Sequence, residues 1–364
     1  MIFESTSEKL KKGVSVALRC VSKNITLPTL EYLLLIVDKN SLTIRATNLS
    51  IGSETVVAIK SDTNGTLAIR GDILLSFLSN TSTDEKVTCE QRGDLFIVKT
   101  KNNTVTLKTF PYDDFPTLPK LDQVEKNSIS SEIIVDGIKS VLFSASLSEI
   151  KPEISSVYIY KNDNNLVFVS TDSFRLSEKK IVLKKEFSFQ PMIIPQKNAI
   201  ELIKILETIS GEYFVNMTEN QCSFKGDGVY ITTRLVSGVF PDYAQIIPKE
   251  EETGVVALRQ DLLNSIKLSN VFSDKLNQIE LAVSGKQFVL SAKNNDIGEQ
   301  VSTIDASVSG KPITVSVNQK YITDMFQVIT SDSVSISFFG PQKPLIIKGV
   351  GDASFMYLVM PMNR

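Results

Sequence analysis

Three stretches of the chain share one pattern of apolar and polar positions. Residues 33–55 (LLLIVDKNSLTIRATNLSIGSET), 157–179 (VYIYKNDNNLVFVSTDSFRLSEK) and 279–300 (IELAVSGKQFVLSAKNNDIGEQ) each hold an apolar run, a polar turn and a second run. A period of two puts successive side chains on opposite faces of a strand, so each stretch predicts a pair of antiparallel strands with a buried face. Thr47-Asn48, Thr171-Asp172 and Lys293-Asn294 fall in register, 124 and then 122 residues apart, and Glu54, Glu178 and Glu299 follow them.

Other blocks recur at the same spacing. TLAIRGDILLSFLS (66–79), PMIIPQKNAIELIKIL (191–206) and PITVSVNQKYITDMFQVI (312–329) each pass from a short β-like run into a helical one. NTVTLKTFPYDDFPTLPK (103–120) matches GVYITTRLVSGVFPDYAQIIPK (228–249), with Phe115-Pro116 over Phe240-Pro241 at a spacing of 125. A further 125 from Tyr230 leads to Phe355, which makes FMYLVMPM (355–362) the third copy of that strand. Self-similarity at a fixed period marks a repeat architecture. Amphipathic helices are expected near 7–22, 132–147 and 259–270, and the proline-rich FPTLPK and FPDYAQIIPK segments read as linkers, with boundaries near 126 and 251. The fold class is therefore α+β: three repeated domains, 1–126, 127–251 and 252–364, each with two helices packed on antiparallel sheets.

Composition narrows the function. The chain has 364 residues, too many for one core, with 42% hydrophobic residues, 22% charged residues and a net charge of −2, the balance of a soluble globular protein. There is no histidine, which removes His-dependent nucleophilic sites and His-containing metal sites. Cys20, Cys89 and Cys222 lie far apart and form neither a CxxC pair nor a disulfide framework, so a reducing cytoplasm is expected. MIFESTSEKLKKG lacks the apolar region of a signal peptide, and no run approaches the ~20 apolar residues of a membrane span. GxGxxG, GxxxxGK[ST] and GxSxG are absent. Asp113-Asp114 and Glu250 to Glu252 flank prolines and read as solvated turns, and GDG (226–228) and KGVGD (348–352) read as turns between strands. No catalytic residue, metal or cofactor is expected. The residues alone leave a binding or scaffolding protein, including a multi-domain β-rich ligand-binding protein.

Charge placement adds one candidate surface. On a helix from residue 7, Leu10, Val14, Ala17, Leu18 and Val21 share a stripe, and Lys9, Lys12, Arg19 and, if the helix continues, Lys23 share the opposite one. Such a face suits either solvent or the phosphates of nucleic acid. Lys197 and Lys204 share a second helix with Glu201 between them, and Lys267 is one basic residue on a third. No aromatic interleaving of the kind that stacks single-stranded bases accompanies them.

TLPTLEYLLLIV (26–37), TDSFRL (171–176), FPDYAQIIPK (240–249) and the closing MPM (360–362), in that order on the repeat, resemble the bacterial DNA sliding clamp family, the β subunit of DNA polymerase III. The resemblance covers the whole chain. It implies a head-to-tail homodimer whose six pseudo-equivalent domains form a ring around double-stranded DNA, with helices lining the hole and sheets outside. It also implies no enzymatic activity. The clamp would tether the replicative DNA polymerase catalytic subunit and other clamp-binding-motif proteins, an effective-concentration effect, after a clamp loader places it on DNA. DNA would be met without sequence readout by Lys9, Lys12, Arg19, Lys23, Asn24, Lys197, Lys204 and Lys267. Partner peptides would be held between the second and third domains by Ile154, Thr171, Ser173, Phe174, Arg175, Leu176, Pro241, Gln245, Ile246, Asn318, Tyr321, Leu358, Met360, Pro361 and Met362. Read without the resemblance, Leu176 and Leu358 fit a core and Arg175 a structural ion pair. The family usually has Gly-His at Ser173-Phe174, a basic residue at Gln245 and at Asn24, and Arg-Leu at Asn363-Arg364. One pocket wall should therefore be more apolar here. The tail should divide near Met360, a core strand before it and a groove wall after it.

Overall fold

The computed structural model describes residues 1–121, 128–184, 189–273 and 275–362. They form two compact units, Met1–Asp136 with Lys197–Ser237, and Gly137–Gln196 with Gly238–Arg364. Six α-helices occur among the described residues: α1 (Ser7–Ala17), α2 (Gly71–Ser79), α3 (Ser131–Val141), α4 (Gln196–Thr208), α5 (Arg259–Ser269) and α6 (Gln319–Asp324). That is two per repeat, as the sequence predicts.

The first unit holds a twelve-stranded antiparallel sheet. Its hydrogen-bonded order is Ile2–Thr6, Lys86–Arg92, Leu95–Lys99, Thr104–Phe110, Gly65–Ile69, Leu33–Asp38, Ser41–Thr47, Ile51–Ala58, Val229–Arg234, Gln221–Gly226, Glu212–Met217 and Ser128–Ser130. The second unit has a nine-stranded sheet ordered Met192–Pro195, Ser156–Asn162, Asn165–Thr171, Arg175–Val182, Phe355–Val359, Leu345–Gly349, Ser333–Phe338, Thr253–Leu258 and Ala306–Gly310. A four-stranded sheet of Gly298–Ile304, Gln287–Asn294, Gln278–Ser284 and Ile313–Asn318 completes it.

The middle repeat is thus divided between the units, which the repeat pattern alone does not show. The cause is strand pairing across repeats. Ile51–Ala58 pairs with Val229–Arg234 from Thr55–Val229 to Ile51–Thr233, and Arg175–Val182 pairs with Phe355–Val359 from Lys179–Phe355 to Arg175–Val359. Each seam joins the strand after the polar turn of one repeat to the last strand of the next. The expected boundary near 126 lies outside the described residues, and Glu251 lies two residues before the strand Thr253–Leu258.

The early helices sit where the periodicity places them and end sooner. α1, α3 and α5 each tighten into a short 3₁₀ turn, at Leu18–Cys20, Leu142–Ser144 and Asn270–Phe272, and the chain then turns extended. Val21 already has φ −84° and ψ 153°, so Lys23 is not on the helix, a correction to the basic stripe. Leu10, Val14 and Ala17 are buried as expected. Gly13 and Gly137, 124 residues apart, let α1 and α3 approach their sheets: a Cβ at Gly13 would come within 2.9 Å of Ile44 and Val57, and one at Gly137 within 2.4 Å of the Phe168 ring. Glycine within a helix costs roughly 1 kcal/mol against alanine. The close approach is what retains it at both positions.

Both linkers fold back over their own unit's sheet through the repeated phenylalanine. Phe115 packs on Leu34 and Ala68, and Phe240 stacks on Tyr158 with ring centroids 4.8 Å apart. Asp227-Gly228 forms the expected two-residue hairpin, with Gly228 at φ +67°.

Candidate functional site

The second unit brings most of the candidate pocket residues together at its seam. The turn after Asn165–Thr171 is built by the TDSFRL side chains themselves. Thr171 Oγ1 donates to the Arg175 carbonyl at 2.7 Å and accepts the Ser173 amide at 3.1 Å. Asp172 Oδ1 accepts the amides of Phe174 and Arg175, both at 2.9 Å. Ser173 has φ +77°, a left-handed conformation that favours glycine. Phe174 is then thrust outward, 60% exposed. The first repeat builds the same turn: Thr47 Oγ1 donates to the Ile51 carbonyl, Asn48 Oδ1 accepts the amides of Ser50 and Ile51, and Leu49 has φ +70°.

Arg175 lies under the turn rather than in the open. Its Nε donates to Asp172 Oδ2 at 2.9 Å and its Nη1 to Asp324 Oδ2 at 2.6 Å, and its guanidinium lies 4.6 Å from the centre of the Tyr321 ring. Burial alone would lower its pKa, but Tyr357, Asp324 and Asp172 outweigh burial and hold it above the ordinary guanidinium value. Burial raises the Tyr321 and Tyr357 hydroxyls, and Tyr357 donates to the Tyr321 carbonyl at 2.9 Å. The structure therefore assigns Arg175 the positioning role that an ion pair implies. It fixes the turn to α6, whose N-cap is Asn318, with Asn318 Oδ1 accepting the Lys320 amide at 2.9 Å.

Leu176 and Leu358 face each other across the seam, and Ile346 is the next residue in the same cross-strand row. All three are buried as one apolar row, the candidate floor. Glu178, two residues along the same face, accepts a hydrogen bond at 2.5 Å from Tyr243, whose hydroxyl also meets that of Tyr160 at 2.7 Å. Burial and then Glu178 push the Tyr243 hydroxyl far up in pKa, so it stays a donor. This contact lays the linker across the sheet beside the floor, with Pro241, Gln245 and Ile246 exposed. Gln245 is held within the loop by Asp242 at 2.7 Å. Ile154 is half-buried just before the strand Ser156–Asn162. The other wall is the tail. Phe355–Val359 is a buried strand, whereas Met360, Pro361 and Met362 are half-buried, tied down by the Met360 amide on the Phe174 carbonyl and the Met362 amide on the Ser316 carbonyl, both at 2.8 Å. The core strand of the tail ends at Val359, just before Met360, as expected. Asn363 and Arg364 lie outside the described residues.

Sequence reasoning missed Asp324, Ile346 and Tyr243. Asp172 stood in a quoted motif without a role. The signal for Asp324 was its spacing of three from Tyr321 on α6, but its partner lies 149 residues away.

The basic candidates lie in both units. In the first, Lys9, Lys12, Arg19 and Lys23 are exposed. Asn24 is half-buried, and its Oδ1 accepts the amides of Thr26 and Leu27 at 2.9 and 3.0 Å, so its oxygen is committed to a local turn. Lys197 is exposed, whereas Lys204 is held by Glu201 at 2.7 Å. Lys267 is exposed on α5 of the second unit. Among the described residues no group of three or more Cys, Asp or Glu side chains is arranged to hold a metal ion, and no helix is long and apolar enough to cross a membrane.

Comparison with known proteins gives a consistent answer. The chain aligns with "Beta sliding clamp" of Buchnera aphidicola subsp. Acyrthosiphon pisum at 25% identity over 369 residues, and with that of Bacillus subtilis at 24% over 377, with 100% of both chains covered each time. Its fold matches the DNA polymerase III β subunit of Thermotoga maritima with a TM-score of 0.94 at 21% identity. It also matches the sliding clamp of Pseudomonas aeruginosa bound to griselimycin, with a TM-score of 0.93 at 23% identity, and both comparisons cover all of each chain. The N-terminal, central and C-terminal domains described for the DNA polymerase III β subunit match residues 1–119, 128–242 and 244–363 in turn. With these three domains following one another along almost its whole length, the chain belongs to the DNA polymerase III β subunit family.

Proposed function

We propose that the protein is the processivity factor of a replicative DNA polymerase: a non-catalytic ring that encircles duplex DNA and captures partner peptides on the seam of its second unit. The observation that carries this reading is the seam itself. A buried apolar row of Leu176, Leu358 and Ile346, flanked by a linker and a methionine-bearing tail, adjoins a turn locked by Arg175 in a chain of the clamp family, and it would floor the groove. Methionine adapts to differing side chains, which suits a groove shared by the polymerase catalytic subunit, a clamp loader and other proteins carrying the binding motif. The clamp domains would divide at 1–126, 127–251 and 252–364, and the site would work in a reducing cytoplasm.

Two open strand edges support a head-to-tail homodimer. Each internal seam joins the strand after the polar turn to the last strand of the next repeat. The third repeat's strand of that kind, Gly298–Ile304, is the edge of its sheet, with Val301 62% exposed and Leu268, Val271 and Ile297 also exposed. Its counterpart by repeat logic is Thr104–Phe110 of a second copy, which pairs with Gly65–Ile69 only at Thr109 and Phe110. A heterologous contact of this kind closes when the rotation closes. DNA would be held loosely by phosphate contacts from Lys9, Lys12, Arg19 and Lys267.

The test is sedimentation at micromolar concentration together with primer extension on singly primed circular DNA with the cognate polymerase and loader. The expected result is a dimer that lengthens products per binding event. A monomer that leaves product length unchanged would overturn the reading.

A further inference from the structure

A groove of about 980 Å³ begins where the candidate peptide site ends. Met362 lines it, and it continues past Ser316, Thr314, Ala282 and Lys311 to Gln342. That size is at the upper end for ligand pockets. Its floor belongs to Gln278–Ser284 and Ile313–Asn318, which are paired with Ala282 opposite Thr314.

We propose that this groove takes the flank of the captured peptide, whose extended backbone pairs with the edge of Ile313–Asn318. The inference rests on the peptide-capture reading above and adds a second contact to it. Ile313–Asn318 is the terminal strand of its sheet. In an antiparallel strand the N–H and C=O of one residue point the same way and alternate along the chain. The Ser316 carbonyl accepts the Met362 amide at 2.8 Å from outside the sheet, while the Gln319 amide turns inward to the Asn277 carbonyl at 2.7 Å. Ser316 and, two residues away, Thr314 therefore present their backbone groups outward. Among the described residues, Met362 is the one backbone partner on that side.

The edge thus already accepts one backbone hydrogen bond from another segment, and that bond comes from the rim of the peptide site. That continuity selects the occupant: a chain leaving the floor beside Met362 meets a strand edge with its donors and acceptors aligned, the geometry of strand addition. Thr314 is exposed and Ala282 is small, which leaves room for alternate side chains of the flank. Lys311 and Glu252, both exposed, also line the groove, so the flank meets a charge of each sign there.

The experiment compares fluorescently labelled peptides from the C-terminal region of the cognate replicative polymerase. One spans the anchor residues only, and two others are extended by several residues at one end or the other. On the wild-type protein one extended peptide should bind about five- to tenfold tighter than the short one, as one or two added backbone hydrogen bonds allow. Thr314→Pro removes an outward N–H at an edge position that spares the ladder, and should abolish that gain while leaving the short peptide unaffected. Ala282→Arg fills the floor without a backbone change and should do the same, which covers the case that the proline variant fails to fold. Equal affinity of short and extended peptides for the wild type, or a gain that survives both variants, would overturn the proposal. Self-association that Thr314→Pro abolishes would overturn it in favour of a second copy as occupant. If even the short peptide fails to bind, the peptide-capture reading fails, and this one with it.

Discussion

Replacing Arg175 by methionine keeps an apolar stem of similar length and removes the cation shared by Asp172 and Asp324. The three side chains are 9%, 16% and 19% exposed. A solvent-exposed ion pair contributes about 0–1 kcal/mol, whereas removing one partner of a buried pair costs about 3–5 kcal/mol, because the remaining charge is left without compensation. The low exposure puts this site near the second regime, and the access of water to both aspartates puts it at the low end, about 3 kcal/mol. The contact over the Tyr321 ring adds about 0.5–1 kcal/mol. Adding Asp324→Asn relieves one uncompensated carboxylate, so the double variant should be more stable than the sum of the single effects by about 1–2 kcal/mol. Denaturation in urea followed by circular dichroism, with the transition of the second unit fitted separately, reads both quantities. A cost for Arg175→Met below about 1 kcal/mol, or strict additivity of the two substitutions, would refute the assignment of Arg175 as the tie between turn and α6.

Other predictions follow from the same geometry. Deleting the chain from Met360 onward leaves the strand Phe355–Val359 whole but removes the groove wall; affinity for a polymerase C-terminal peptide should fall by at least about tenfold while the sedimentation of the dimer is unchanged. Ser173→Gly relieves a left-handed residue at a cost in unfolded-chain entropy, roughly 1–2 against 0.5–1 kcal/mol, so its denaturation midpoint should rise by the equivalent of about 0.5–1 kcal/mol, and a fall would contradict the turn geometry. Changing Lys9, Lys12 and Arg19 together to glutamate should slow loading on circular DNA without altering the circular dichroism melt; unaltered loading would remove that face from the DNA path. Burial raises the Cys20 thiol to about 12 and pushes Cys89 and Cys222 up too, so native protein at pH 8 should resist iodoacetamide until unfolded, as mass spectrometry would report.

Much of this was legible because the chain repeats itself. The offset from Thr47 to Thr171 located a turn whose hydrogen bonds are the same in both copies, and the spacing from Tyr230 to Phe355 identified the last strand and hence the break at Met360. Contacts without a periodic signature were not legible. Asp324 reaches Arg175 across 149 residues, and Tyr243 reaches Glu178 across 65, through folding that no local pattern encodes. The stripe through Lys23 failed for a local reason: a helical period cannot report where the last turn tightens and the chain becomes extended. Three repeats form two packing units because hydrogen bonding across the seams joins strands whose propensities are the same whichever partner they take.

The position of Phe355–Val359 has a kinetic consequence. It is the last of the described strands in the chain, yet it sits inside the nine-stranded sheet, between Arg175–Val182 and Leu345–Gly349. From Val182 to Phe355 the ribosome must add 173 residues, which takes roughly 9–35 s at ordinary elongation rates. Throughout that interval Arg175–Val182 has no partner on one side, and its backbone edge waits unpaired on a nascent chain. The nine-stranded sheet therefore cannot close until Phe355–Val359 has been made, and any product that stalls before that strand leaves it open.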